Sequence, residues 1–148
     1  MEYARNVVNL HDADHEESAP QAATLLIHRL TCSLAGQTQT IRLTKGSLVH
    51  RAYGRDETRE QFGCNFGLNP LYRELVARKP LSVAGVDQEG EVRVVELMNH
   101  QFFVATLFLP QLSKSPDTPH PLIAAYVKAA AAFHNSRTGG QNNGQGAT

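Results

Sequence analysis

Residues 101–112 read QFFVATLFLPQL, the most continuous apolar run in the sequence, with Pro110 near its end. A short apolar run stopped by proline reads as a buried strand passing into a loop. In open α/β sheets, chemistry is usually sited where such a strand ends. Here that end carries Leu109, Pro110 and Gln111. Leucine has no proton to exchange and glutamine has no charge. A position suited to a catalytic pair holds residues that cannot form one.

The 148 residues suffice for one domain, and 41% hydrophobic with 19% charged residues fits a globular chain. Formal net charge is zero and no basic stripe occurs, so nucleic acid is not an expected partner. No run is long enough to span a bilayer, and the N-terminus MEYARNVVNL lacks the layout of a secretory signal. A cytoplasmic location is expected. Cys32 and Cys64 read as two free, buried thiols.

Outward from the central run, residues 91–97 alternate, with Val92 and Val94 opposed to Arg93 and Val95. Together with residues 81–86 and the DQEG turn they predict a hairpin. Asn69-Pro70 supplies a helix cap and first position, and Leu71, Leu75, Tyr72 and Val76 give that helix its stripe. Residues 60–69, EQFGCNFGLN, read as an irregular strand in which Gly63 and Gly67 mark a bulge or a close approach. Residues 25–34 and 38–43 are two β-prone segments that suggest an antiparallel pair, with Ile41 and Leu43 on one face.

Residues 47–53 are ambiguous, and the charged residues 54–59 should be exposed. Residues 1–10 predict an uncapped helix, and residues 11–23 a polar surface loop. Pro119-His120-Pro121 opens a last helix whose core face is Leu122, Ile123, Tyr126, Val127 and Ala130. This gives a domain over 1–134 and a Gly/Asn/Gln-rich tail, expected to be disordered, over 135–148.

His11 and His15 have acidic neighbours but no third ligand at a metal spacing, so no metal site is expected. Cys64 lacks a histidine nearby in sequence and reads as a small packed residue. His120, at a helix start, reads as a capping or loop residue.

Three stretches are familiar together: EYARNVVNLHDADH at 2–15, GSLVHRAYGRDETREQFGCNFGLNPLYREL at 46–75, and 82–130 with VVELMNHQFFVATLFLPQL at its centre. This pattern resembles the C-terminal, class I glutamine amidotransferase domain of the CTP synthases, in a divergent branch related to that region. The likeness runs from Met1 to about Ala132. It implies a flavodoxin-like α/β fold, a mixed sheet flanked by helices. It also implies glutamine hydrolysis that feeds ammonia to a synthetase in pyrimidine nucleotide biosynthesis. Such chemistry needs a thiolate, a base and a group that orients the base.

Position by position, the resemblance sets Leu109 where the family has its histidine and Gln111 where it has its glutamate. Asn65 stands in place of an arginine of the glutamine-holding strand and Gly67 in place of a glutamate, while Phe66, Leu68 and Asn69 keep that strand's shape. The cysteine elbow and the first half of the domain fall before Met1. What remains should therefore expose a sheet edge and an apolar helix face. The chain is then either a truncated reading of a longer gene or one completed by a partner, synthetase-type or a second copy.

Three roles follow. The first is a binding or regulatory domain inactive towards glutamine, whose binding of glutamine is itself in doubt. The second is a hydrolase with an altered site built from Cys64, His100 or His120. The third is the glutaminase part of a CTP-synthesising system. No phosphate-binding GxxxxGK[ST] loop is present, so the chain alone is not the ligase, and no cofactor is called for.

Overall fold

The computed structural model describes residues 1–112 and 117–138. Its elements are α1 (Glu2–Asn6), β1 (Ala13–His15), β2 (Thr24–Arg29), β3 (Thr38–Leu43), α2 (Leu48–Tyr53), β4 (Glu57–Gln61), β5 (Phe66–Leu68), α3 (Arg73–Val76), β6 (Leu81–Val86), β7 (Val92–Leu97), β8 (Val104–Thr106) and α4 (Pro121–Thr138). Short 3₁₀ turns cover Pro70–Tyr72 and Pro110–Leu112. The strands form a three-stranded sheet, β1-β2-β5, and a five-stranded sheet, β4-β3-β6-β7-β8. β1 and β2 run parallel, and the other pairings described are antiparallel.

Two apolar clusters separate along the faces of the larger sheet. One joins Ile41, Val49, Phe62, Val94, Phe108 and Leu122. The other joins Ala4, Ala13, Leu26 and Leu81, with Val95 and Leu97 packed against it. The period of two along β7 sends neighbouring valines into different clusters. The hairpin β6–β7 forms as its alternation predicts, with register shifts around Gly85. A Cβ at Gly85 would meet Val94 Cγ2 at 2.9 Å, which is why a glycine stands there.

Several expectations change. The run at 101–112 is not a central strand. Only Val104–Thr106 is strand, and it lies at the sheet edge, paired to β7 alone. Residues 25–34 and 38–43 do not form a hairpin, because β2 and β3 belong to different sheets. β2 takes as its parallel neighbour β1, which lies inside the segment expected to be loop, with Ala13 fully buried.

The charged residues 54–59 are exposed as expected apart from Thr58, and from Glu57 they contribute β4. Residues 47–53 resolve as a helix: Ser47 Oγ accepts from His50 N at 2.9 Å, and Gly54, at φ 64°, ends it. Leu71 is exposed rather than packed. On α4 only Leu122 is buried, whereas Ile123, Tyr126, Val127 and Ala130 face outward. The helix continues to Thr138, past the expected start of the tail at Asn135, and residues 139–148 lie outside the described residues. Both cysteines are free, but Cys32 is exposed. None of the described helices is long and apolar enough to cross a membrane.

Candidate functional site

The exit of β8 is built by three segments. Leu107 N donates to Arg93 O at 2.9 Å and Leu109 N to Gln61 O at 3.0 Å, while Phe62 and Phe108 form an isolated bridge. These bonds lay residues 107–109 along residues 61–67. The two glycines expected to mark a close approach do so. A Cβ at Gly63 would lie 2.6 Å from Leu109 Cδ1. One at Gly67 would lie 2.8 Å from Leu30 Cδ2 and 3.6 Å from Leu107 Cδ2. Leucine side chains therefore occupy the space over this segment, and only hydrogen fits beneath them.

Leu109 is half-buried there, and Gln111 is exposed on the Pro110–Leu112 turn. Asn65 is exposed and its Oδ1 accepts from Ser33 Oγ at 2.5 Å. Phe66 is buried, with the Arg29 guanidinium 5.0 Å from its ring centre. Among these positions nothing can accept or release a proton near neutral pH.

The three residues of the altered-site reading part company. Cys64 is half-buried and its thiol donates to Phe66 O at 3.2 Å. His100 is exposed, precedes β8 rather than following it, and its ring stands 6.1 Å from Phe103. His120 does reach the strand exit. It is 6% exposed, and its ring centre lies 6.3 Å from that of Phe108. It fills the capping role expected of it and makes further contacts. Nδ1 accepts from Leu122 N at 3.2 Å, while Nε2 lies 3.1 Å from Tyr53 Oη and 3.2 Å from Glu60 Oε2. With Nδ1 accepting, Nε2 carries the proton and donates. Contacts at both ring nitrogens thus hold His120 at the start of α4.

The group that fastens it was not legible as a site. Tyr53 Oη donates to Glu60 Oε1 at 2.6 Å, Thr58 Oγ1 donates to the same oxygen at 2.9 Å, and Arg55 donates to Thr58 Oγ1 at 3.0 Å. α2 presents Tyr53 at its last position. Its first turn is secured by Glu96 of β7, whose Oε2 accepts from Leu48 N at 2.8 Å. A period-two reading of Thr58, Glu60 and buried Phe62 would have turned all three inward, but the charge of the stretch concealed it.

Burial, reinforced by the Glu60 carboxylate, pushes the Tyr53 phenol far above its ordinary value. The folded chain then keeps the phenol neutral where an unfolded tyrosine ionises. The stability it supplies is complete below about pH 10 and is lost as pH rises from there towards the raised folded value. Above about pH 10 stability should fall by at most about 1.4 kcal/mol per pH unit from this group, and by less after solvent screening at a half-buried site. Urea titrations across that range should show a shallower fall for Tyr53→Phe. Equal slopes in the two proteins would contradict this assignment.

The acidic N-terminal segment is engaged in local contacts. His15 Nδ1 accepts from Glu17 N at 3.1 Å, its ring stands 5.1 Å from Phe66, and Asp14 lies 3.6 Å from Arg5.

Comparison with known proteins accords with this geometry. No protein-family model matches the chain. It is 32% identical over 148 residues to a CTP synthase of Geobacter metallireducens and 35% identical over 145 residues to one of Geotalea uraniireducens. Those alignments cover 93% and 91% of the chain but only 28% and 27% of the relatives, so the chain spans about a quarter of their length. Its fold matches that of the glutaminase domain of Trypanosoma brucei CTPS, solved with bound acivicin. The TM-score is 0.81 at 22% identity, over 87% of this chain and 54% of that one. By sequence and by fold, the chain is a divergent relative of the class I glutamine amidotransferase domain of CTP synthase.

Proposed function

We propose that the chain is an amidotransferase-like domain that does not hydrolyse glutamine and acts by binding, in a regulatory or scaffolding role. The observation that supports this reading is Leu109, which lies over Gly63 where a proton-transferring base would be needed. Gln111 beside it has no charge with which to orient one. His120, which reaches the strand exit, is engaged by Leu122 N at Nδ1 and by Glu60 and Tyr53 at Nε2. The purified chain incubated with glutamine should release no ammonia above the reagent blank between about pH 6 and pH 9, the range in which a general base is effective. Ammonia release above the blank that disappears in Cys64→Ser or His120→Gln would defeat the proposal and favour an altered hydrolase.

A second reading is favoured by the relatives' identity as CTP synthases. In it the domain works inside a CTP-synthesising assembly, alongside a synthetase-type chain. Retention of such a chain on the tagged protein, from the organism's own extract, would support that role. A synthetase that passes through unretained would count against it.

A further inference from the structure

The pairing of β2 with β5 continues past its last ladder pair, Arg29 with Phe66, and then changes register. Leu30 N donates to Asn65 O at 2.8 Å, but the next bonds run from Leu34 N to Cys64 O at 3.3 Å and from Gly36 N to Phe62 O at 2.9 Å. One step along one segment, from Asn65 to Cys64, is matched by four steps along the other, from Leu30 to Leu34. Thr31, Cys32 and Ser33 are the surplus, and they arch over Cys64 and Asn65. The arch is fastened: Ser33 Oγ donates to Asn65 Oδ1 at 2.5 Å, and Ala35 N donates to Ser33 Oγ at 3.2 Å. Cys32 is its middle residue and is exposed. Cys64 at its foot is half-buried, and its thiol donates to Phe66 O at 3.2 Å. The two cysteines of the chain, far apart in sequence, therefore meet at one arch.

We propose that Cys32 and Cys64 form a reversible disulfide, a thiol-modification site that takes a low-molecular-weight disulfide as its oxidant. The Cys32 thiolate attacks one sulfur of that disulfide and expels the first small thiolate, leaving a mixed disulfide on Cys32. The Cys64 thiolate then attacks the Cys32 sulfur and expels the second. The two cysteines lose two electrons and two protons, and the small disulfide gains them as two thiols. Access sets this order, because Cys32 is the exposed sulfur. A disulfide needs Cα atoms about 4.4–6.8 Å apart. With both feet of the arch bonded to Cys64 and Asn65, its middle residue has little way to travel to that spacing. Closure withdraws the Cys64 donor from Phe66 O. It also pins the arch beside Leu30, whose Cδ2 lies 2.8 Å from where a Gly67 Cβ would stand. The proposal rests neither on the loss of hydrolysis nor on the family relationship.

In the test, the reduced 148-residue chain is incubated with glutathione disulfide and reduced glutathione, quenched in acid, and read by intact and peptide mass spectrometry. The expected product is a monomer lighter by two hydrogens, with a Cys32–Cys64 cross-link that dithiothreitol reverses. Cys64→Ser should stop at one glutathione on Cys32, which identifies the entry sulfur. In denaturing urea at the same thiol concentrations, the ratio of cross-linked chain to mixed disulfide should fall about tenfold or more, because the fold holds the two thiols together more closely than the connecting chain does. Glutathione retained on Cys32 of the parent without a cross-link would overturn the proposal. So would cross-links formed only between chains, or a ratio that urea leaves unchanged. Ammonia assays do not enter this result, so it stands or falls separately from the reading of inactivity.

Discussion

Asp87→Asn is expected to lower the stability of the folded chain by about 3–5 kcal/mol, the cost of leaving a buried charge without its partner. The Asp87 side chain is 2% exposed and that of Arg93 is 7% exposed. Asp87 Oδ2 accepts from both Arg93 Nε at 2.8 Å and Nη2 at 2.7 Å, and Oδ1 accepts from Glu91 N at 2.8 Å. The carboxylate thus closes the β6–β7 turn and anchors the guanidinium at once. That guanidinium also reaches the other sheet, since Nη1 lies 3.5 Å from where a Gly67 Cβ would stand.

Arg93→Met should cost a similar amount, because it strands the carboxylate instead. The double variant removes both charges, and it should be more stable than the sum of the two losses by roughly 1–3 kcal/mol. Urea denaturation followed by circular dichroism measures all three. Single variants within about 1 kcal/mol of the parent would show that the pair is not the clamp described.

The same pair shows where reading the sequence stops. Alternation along 91–97 correctly gave a strand and correctly buried Val92 and Val94. It set Arg93 on the opposite face without a partner, because the partner arrives through the turn, and no period records that. The cap at Asn69 was legible for the opposite reason, since its hydrogen bond to Leu71 N is local. Gly63 and Gly67 announced a close approach but not by what, and the leucines that fill the space come from residues 30, 107 and 109.

The run 101–112 was misread as central because apolar composition reports a preference to leave water, not which surfaces are at hand to cover it. α4 carries the same lesson. Its stripe is a core face by pattern, yet past Leu122 most of it remains uncovered. That Leu109 and Gln111 have no titratable side chain was legible from identity alone. The fastening of His120 was not, because Tyr53 and Glu60 lie far from it along the chain.

Phe108→Ala should also cost about 3–5 kcal/mol, and it separates what the strand exit does for the fold from what it does for chemistry. Phe108 is 1% exposed and meets Phe62, also 1% exposed, edge to face with ring centres 6.1 Å apart. Both rings belong to the cluster that takes in Leu122, and Phe108 backs the ring of His120. Truncation opens a cavity at the meeting point of β4, the exit of β8 and the start of α4. Leu109 one residue on is only half-buried. Leu109→Ala should therefore cost about 1–2 kcal/mol, the partial burial of a leucine.

The difference between these two losses carries the functional argument. If Phe108 is the anchor and Leu109 is dispensable for folding, then the apolar residue at 109 is not demanded by packing, and its identity bears on activity. Chemical denaturation of the two variants side by side decides this. A Leu109→Ala loss as large as that of Phe108→Ala would make position 109 a packing requirement and remove the support that Leu109 lends to the inactive reading.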